Sequence, residues 1–354
     1  SFCPMGRIIF GVFCFAILGQ ITAQDINFSQ FNVMSSYYNP ASTGYFDGNF
    51  KVRLINRNQW TNLTADPGRS FALSGDIKFD LGNHNFAKDF IAIGVYFLTD
   101  KTQALNWTRN EIGTQLAFHK RLDKVKHTYL GGGVGLSVLQ RSLSYDNIYF
   151  QDQFDGLDQY SGGTGEILPQ NIHNTGDLKL GIQIASDLSS KWNIQSGIGL
   201  HYLFQPNFSL YNNIEDINYI GIKKNDAFPR INFITNLSYQ IDRSQQFFPR
   251  LHLSLQGPHQ LLQVGANYRR SFYNFSQTAY HAGISLRSAS TVNGFTPVDL
   301  GFLIGFEIKK VIIGLHYDAG LRDLSKYGQL THSFELSISL VGDYNNQSFI
   351  CPEF

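Results

Sequence analysis

The stretch Ser70–Phe79 reads SFALSGDIKF. Large apolar side chains alternate in it with small or polar ones: Phe71, Leu73, Ile77 and Phe79 against Ala72, Ser74, Asp76 and Lys78. Side chains of an extended strand point alternately to its two faces, so this stretch has one apolar and one polar face. Its length is about twice that of a usual soluble strand and close to the roughly 9–11 residues that a tilted strand needs to cross a bilayer. The stretch therefore predicts a membrane-spanning strand.

The composition agrees with a β-barrel rather than a bundle of membrane helices. The chain has 354 residues, of which 43% are hydrophobic and 16% are charged. Membrane helices need runs of about 20 apolar residues, whereas a barrel interleaves apolar and polar positions. After the first two dozen residues the sequence has no such run. The formal net charge of +1 offers no concentrated basic face, so a nucleic-acid partner is not expected.

The amino-terminal region has the pattern of a secretory signal peptide over residues 5–23. Arg7 precedes the apolar run Ile8–Leu18, and the small residue Ala23 follows shortly after. The run is too short for a membrane anchor, which is the alternative. We predict cleavage after Ala23, which makes Gln24 the first residue of an exported chain.

Fourteen alternating segments follow. They lie near residues 48–58, 70–79, 89–98, 109–121, 126–140, 175–187, 191–204, 229–241, 248–256, 260–269, 277–287, 297–308, 311–319 and 331–341. Bacterial barrels have even strand numbers, short periplasmic turns and longer outside loops. The sequence thus predicts an all-β, transmembrane, antiparallel up-and-down barrel over residues 46–341 and a periplasmic tail over 342–354. A soluble β-sandwich, the alternative, would have shorter strands and charged edges.

Chemical motifs give weak support for an enzyme. Alternation places His201, His252, His281 and His316 in the lumen, where polar residues are expected anyway. His252 with Ser254, and His281 with Ser285, share strand faces, but a hydrolase also needs an orienting group and an oxyanion pocket. We therefore predict no catalytic residues.

A metal or cofactor site has equally little support. Asp152, Asp155 and Asp158 lie in one loop without the spacing of a calcium site. The sequence has no paired-cysteine, HExxH or phosphate-loop motif. We therefore predict no metal and no cofactor.

Two long connections, residues 141–174 and 205–228, are rich in aromatic and amide side chains. Aromatic side chains on loops held by rigid strands suit protein recognition, because such anchors carry much of the energy of an interface. The candidate partner-binding residues are Tyr145, Tyr149, Phe154, Tyr160, Phe208, Tyr211 and Tyr219. The alternative is that both loops fold inward and constrict the pore.

The two ends of the exported chain carry motifs that resemble those of a known family. Gln24–Phe31 reads QDINFSQF, Asn39–Gly44 reads NPASTG, Arg57–Trp60 reads RNQW, and Cys351–Phe354 reads CPEF. Together they resemble the PorP/SprF family of outer-membrane proteins of Bacteroidetes, although Glu353 stands where that family's tail leads us to expect a basic residue.

The resemblance implies a place in the outer membrane and a role in the type IX secretion and gliding motility apparatus. It also implies two kinds of partner: other components of that apparatus, and a secreted adhesin-like protein bound through its C-terminal domain.

Residues 24–45 lack strand alternation, and Asn39-Pro40 indicates a turn. Many glycines fall on the inward faces of the predicted strands, so the lumen has room for this segment. We expect it to form a small periplasmic or plug segment, with Phe28, Phe31 and Tyr37 as its contacts.

The sequence therefore predicts a non-enzymatic secretion component that binds an exported protein and assists its export or surface anchoring. A passive channel for small or hydrophobic solutes is the alternative, and an outer-membrane lipid hydrolase is a third candidate.

Overall fold

The alternating segments form the fourteen strands of one closed sheet in a computed structural model of the chain. The structure describes residues 26–343 except 61–66, 82–88, 103–106, 124, 146–147, 157–158, 160–161, 167, 211–225, 273–277, 292–293 and 322–330. The strands are β1 (Phe50–Gln59), β2 (Gly68–Leu81), β3 (Asp89–Thr102), β4 (Trp107–Asp123), β5 (Thr128–Ser142), β6 (Ile172–Asp187), β7 (Trp192–His201), β8 (Arg230–Gln240), β9 (Gln245–Gln256), β10 (His259–Ser271), β11 (Thr278–Thr291), β12 (Gly294–Ile308), β13 (Val311–Gly320) and β14 (His332–Gly342). The predicted fold class and strand number are confirmed.

Each strand pairs antiparallel with its sequence neighbours, and β1 pairs with β14 to close the barrel. At that seam Phe50 lies opposite Gly342 and Gln59 opposite Ser333. Closure leaves no free sheet edge among the described strands, so their backbone groups pair with neighbouring strands, as a hydrocarbon surrounding requires.

The two faces of the wall differ as the alternation predicts. On β4, Ile112 is 60% exposed on the outside, whereas its neighbour Glu111 is 1% exposed on the inside. On β12 and β13, Phe302 and Leu315 are likewise exposed, and His316 is buried in the lumen. An apolar outer face is what a bilayer demands of a membrane barrel.

Aromatic side chains mark both ends of this apolar band. Trp192 and Tyr239 pack against each other at one end, with their ring centroids 4.5 Å apart. Tyr317 and Phe334 lie near the other end, with centroids 5.1 Å apart. Aromatic girdles of this kind sit at the two membrane interfaces of outer-membrane barrels.

The connections distinguish the two ends of the barrel. We call the end that carries residues 143–171 and 202–229 the loop end, and the opposite end, with Lys309-Lys310 and residues 188–191, the turn end. Lys309-Lys310 forms a two-residue turn between β12 and β13, and Lys309 has a positive φ of 55°. Gly257-Pro258 forms an equally short connection at the loop end, where Gly257 has φ 53°.

Residues 26–46 run inside the barrel and are called the inner segment below. They contain one helical turn, α1 (Ser35–Tyr38), and a 3-10 turn at Pro40–Ser42. In the described part of the chain no helix is long and apolar enough to cross a bilayer.

Candidate functional site

The inner segment runs through the lumen from the turn end to the loop end. At the turn end, the Lys78 ammonium group donates to the carbonyl oxygen of Phe46 at 3.1 Å. Twenty residues earlier, Ile26 and Asn27 lie beside Trp60 and Gly68, where β1 ends and β2 begins at the loop end. The segment therefore crosses the length of the barrel along its inside.

Apolar and aromatic side chains form the centre of the filled lumen. The three predicted contacts, Phe28, Phe31 and Tyr37, are 0%, 3% and 1% exposed. The cluster that contains them also includes inward-facing apolar groups of the wall, here Ile55 and Leu98. Burial of such side chains stabilises a protein by roughly 1.5–3 kcal/mol each, so the segment has a core of its own inside a largely polar wall.

At the loop end, the segment is held by ionised side chains. The carboxylate of Glu335 accepts hydrogen bonds from the backbone N–H groups of Ser29 and Gln30, the latter at 3.0 Å. The Ser29 hydroxyl donates to Asp318, and the Arg57 guanidinium group donates to the carbonyl oxygen of Asn27. We call this set of contacts the loop-end anchor.

The anchor is part of a larger ionic network in the wall. Arg57 lies 3.4 Å from Asp318 and 3.5 Å from Glu335, and all three side chains are nearly inaccessible to solvent. Arg287 lies 3.1 Å from Asp299 and 3.7 Å from Asp318. Buried charges have to be paired and hydrogen-bonded, and the inner segment supplies several of the missing bonds here.

In the middle of the lumen, the wall binds the segment's backbone. Gln115 donates from its side-chain amide to the carbonyl oxygen of Ser36 at 2.7 Å. The ring Nε2 of His201 lies 3.0 Å from the carbonyl oxygen of Tyr38. These contacts pair backbone groups that a short helical turn leaves without intrahelical partners.

Beside Tyr37, a second ionic cluster lines the wall. Lys179 lies 2.5 Å from Glu111, and Arg109 lies 2.9 Å from the same carboxylate. The Lys179 ammonium group also lies 4.6 Å from the centre of the Tyr37 ring, which is cation–π distance. Tyr37 is therefore held by charge as well as by apolar contact.

The turn Asn39–Ser42 rests on glycines of β5, β6 and β7. A Cβ atom at Gly133 would lie 2.4 Å from the backbone nitrogen of Ala41, and one at Gly199 would lie 2.1 Å from the carbonyl oxygen of Tyr38. At Gly181 it would lie 2.0 Å from Oδ1 of Asn39. No side chain fits at these distances, so glycine is required where the two backbones meet. We call Gly133, Gly181, Gly197 and Gly199 the glycine floor.

Asn39 fixes the turn on that floor. Its side-chain oxygen accepts from the backbone N–H of Ala41 at 3.0 Å, and its side-chain nitrogen donates to the carbonyl oxygen of Ile182 at 3.1 Å. One residue thus caps the 3-10 turn at Pro40–Ser42 and joins it to β6.

The described loop aromatics differ in their surroundings. Tyr149 and Phe154 are 64% and 44% exposed. Tyr145 is partly buried, and its hydroxyl donates to the carbonyl oxygen of Pro169 at 2.8 Å. The Arg141 guanidinium group lies over the Phe208 ring, with the arginine Cζ atom 3.6 Å from the ring centre. The Phe208 ring also packs against Tyr202. Tyr160, Tyr211 and Tyr219 lie outside the described residues.

The two predicted serine–histidine pairs do not meet. His252 bonds Asn232 at 3.2 Å, and Ser254 accepts from Arg230 at 2.9 Å. His281 instead bonds Glu307 at 3.3 Å.

Ser285 lies 3.1 Å from Nε2 of His316, whose Nδ1 lies 3.3 Å from Asp318. This is the order of a hydrolase triad. However, Ser285 lies within the sheet, opposite Gly265 and Gly301 on the neighbouring strands. The backbone N–H groups around it are used in strand pairing and do not form an oxyanion hole.

The acidic loop binds its own donors. Asp152 accepts from the Thr164 hydroxyl at 2.9 Å and from the Gly165 N–H at 2.6 Å. Asp155 accepts from the Gln159 N–H at 3.1 Å, and Asp158 lies outside the described residues. Among the residues that the structure describes, no group of three or more His, Cys, Asp or Glu side chains is placed to hold a metal.

Fold and filled lumen together define an outer-membrane β-barrel protein. A family model for the type IX secretion system membrane protein PorP/SprF matches residues 21–340. The chain belongs to this family, which confirms the resemblance seen in its terminal motifs and makes it a membrane component of type IX secretion. In the outer membrane, the loop end of such a barrel faces the cell exterior.

Solved structures are similar to this chain at very low identity. A Pseudomonas aeruginosa FadL homologue has 9% identity and a TM-score of 0.51, covering 86% of this chain and 93% of its own. The Ralstonia pickettii toluene transporter TbuX has 10% identity and a TM-score of 0.47, and the match covers 97% of this chain and 98% of that one. The CymD monoaromatic hydrocarbon channel has 10% identity and a TM-score of 0.48, and the match covers 94% of this chain and 97% of that one. No curated protein sequence matches the chain.

Proposed function

We propose that this barrel is a docking component of type IX secretion that does not conduct solutes by itself. It binds an exported protein at the loop end and thereby assists its export or its anchoring on the cell surface. The observation that carries the proposal is the inner segment, whose side chains Phe28, Met34 and Tyr38 are 0% exposed in the middle of the lumen. A barrel built to pass solutes would need an open path at that level.

The described part of the loop end supports a binding role. The Arg141–Phe208 contact and the Tyr145–Pro169 hydrogen bond hold the long connections onto the barrel, while Tyr149 and Phe154 remain exposed. Exposed aromatic rings on a held loop can bind a partner at little cost in conformational entropy.

The identity of the partner is inferred from membership in the family and not from the geometry of the barrel. Membership in PorP/SprF associates the chain with other components of the secretion apparatus. We infer that the exported partner is a large adhesin-like protein and that its C-terminal domain is the part that binds. The predicted signal peptide would direct export of the chain and be removed by cleavage after Ala23.

Purification from native outer membranes, followed by mass spectrometry, tests the docking role directly. We expect a large secreted protein to copurify with the barrel. The double variant Tyr149→Ala/Phe154→Ala should reduce its recovery, because both rings are exposed at the loop end. Val125→Ala, an exposed apolar residue at the turn end, is the matched control. Equal recovery from all three proteins would contradict binding through these rings.

Conductance in planar bilayers tests the closed lumen separately. The purified barrel should be silent, and a deletion of residues 24–44 should open it. A wild-type barrel that conducts steadily, or that swells liposomes in the presence of small solutes, would favour the passive channel instead.

A further inference from the structure

A cavity of about 530 Å³ opens above the inner segment at the loop end. Trp60, Thr102 and Thr331 lie around it at the ends of strands, and Arg57, Asp100, Arg287 and Asp299 contribute charged groups from the wall. Ile26 and Asn27, the first two described residues of the chain, complete its lining. We call this space the loop-end cavity.

The direction of the chain at this point is fixed by the loop-end anchor. The Arg57 guanidinium group donates to the carbonyl oxygen of Asn27, and Arg230 donates to Oδ1 of the same residue at 2.6 Å. From there the segment descends to Phe46 at the turn end. Ile26, the first residue that the structure describes, therefore lies at the cavity and not at the turn end.

The predicted processing leaves very little chain to place there. Cleavage after Ala23 leaves Gln24 and Asp25 before Ile26. Two residues reach at most about 7 Å, so the new amino group cannot return to the turn end.

The charges around the cavity suit an amino terminus. The lining carries two carboxylates, those of Asp100 and Asp299, and two guanidinium groups, those of Arg57 and Arg287, and Arg230 lies beside it on Asn27. The two carboxylates attract a cation such as an α-ammonium group. The two arginines offer counter-charges for the carboxylate of Asp25.

We propose that the loop-end cavity is the binding site for this chain's own processed amino terminus, Gln24-Asp25, whose ammonium group faces the cell exterior. An even strand number places both ends of the barrel at the turn end, yet the inner segment returns the amino terminus to the opposite end. The leader therefore has to be removed before the barrel closes, because an intact leader would have to pass out through the loop end.

Single cysteines test this topology in a Cys351→Ser background, in which the exported chain has no other cysteine. Asp25→Cys is treated on intact cells with a membrane-impermeant maleimide. Glu166→Cys is the exposed control at the loop end and Ser190→Cys the exposed control at the turn end. We expect Asp25→Cys to react on intact cells, as Glu166→Cys does. Reaction only after permeabilisation, as for Ser190→Cys, would overturn the proposal.

A disulfide test covers the case in which the new thiol is shielded inside the cavity. Asp25→Cys is paired with Thr102→Cys at the loop end or with Lys126→Cys at the turn end, and cross-linking is read from gel mobility without reductant. The proposal requires the first disulfide to form and the second not to. A thiol that neither reacts on intact cells nor cross-links to Thr102→Cys contradicts it.

Mass spectrometry of the same wild-type protein should find Gln24 as the first residue, and a chain that begins upstream would contradict the proposal. These measurements require neither an exported partner nor a conductance, so their outcome is independent of the docking role.

Discussion

The two ends of the inner segment are held by different physical means. At the loop end, Ser29 and Gln30 are bound by the carboxylate of Glu335 within a buried ionic network. On the glycine floor, the backbone of Ala41 lies against Gly133 at a distance that no Cβ atom allows. The contacts of the loop-end anchor are therefore electrostatic, whereas those of the glycine floor depend on close steric fit.

The difference teaches what each end tolerates. A buried network loses much of its stability when one member is removed, because the remaining charges lack partners. A close backbone contact is instead sensitive to added volume, since a packed interior has no room to accept it. The two ends should therefore fail under opposite kinds of substitution: removal of charge at one, addition of a methyl group at the other.

The largest effect is expected for Glu335→Gln. The substitution removes the charge that holds the backbone N–H groups of Ser29 and Gln30 and that faces Arg57. Breaking a buried ion pair costs about 3–5 kcal/mol, so the unfolding transition of the purified barrel should move to a much lower temperature. The loop end of the segment should also be released, which we expect to appear as flickering conductance in planar bilayers.

Glu307→Gln is the matched control for this variant. Glu307 is also a lumen carboxylate, paired with Arg269 at 2.7 Å and with His281 at 3.3 Å. No described residue of the inner segment bonds to it. Thermal stability should fall while the bilayer stays silent. Conductance in both variants would show that any lost ion pair opens the lumen, and the distinction between the two ends would then fail.

A smaller effect is expected for Gly133→Ala. The new methyl group would have to displace the backbone at Ala41, and overpacking of this kind costs about 1–3 kcal/mol. Gly132→Ala is its control, because a Cβ atom at Gly132 meets nothing within 4 Å. We expect only the first variant to conduct and to lose stability. Equal behaviour of the two neighbours would disprove the close fit of the glycine floor.

Most of the wall could be predicted from the sequence because its rule is local. Alternation identifies all fourteen strands and four of the inward histidines without knowledge of the partner strands, but it was not applied to His119, which is also buried in the lumen. The boundaries of β11 and β12 are less accurate, since these strands extend to Thr291 and from Gly294 at the loop end. A register shift between Arg287 and Ser288 interrupts the alternation there, so the pattern ends before the strand does.

The contacts of the inner segment could not be predicted from the sequence. Ser29 and Glu335 are 306 positions apart, and the closure and register of all fourteen strands decide that they meet. The glycines on inward faces indicated space in the lumen, and the four glycines of the floor lie on such faces. The direction of the segment had no periodic signal at all.

The smallest effect is expected for Asn39→Ala, which tests whether the floor depends on shape alone. The substitution removes the cap on Ala41 and the bond to the carbonyl oxygen of Ile182, and loss of such a cap costs about 0.5–2 kcal/mol. Asn39→Asp keeps the acceptor for the Ala41 N–H but places a buried carboxylate oxygen against the carbonyl oxygen of Ile182, so its melting temperature should lie below that of Asn39→Ala. Both variants should stay silent in bilayers, because the glycines still admit the turn. Conductance in Asn39→Ala would mean that hydrogen bonds, rather than fit, hold the segment at this end.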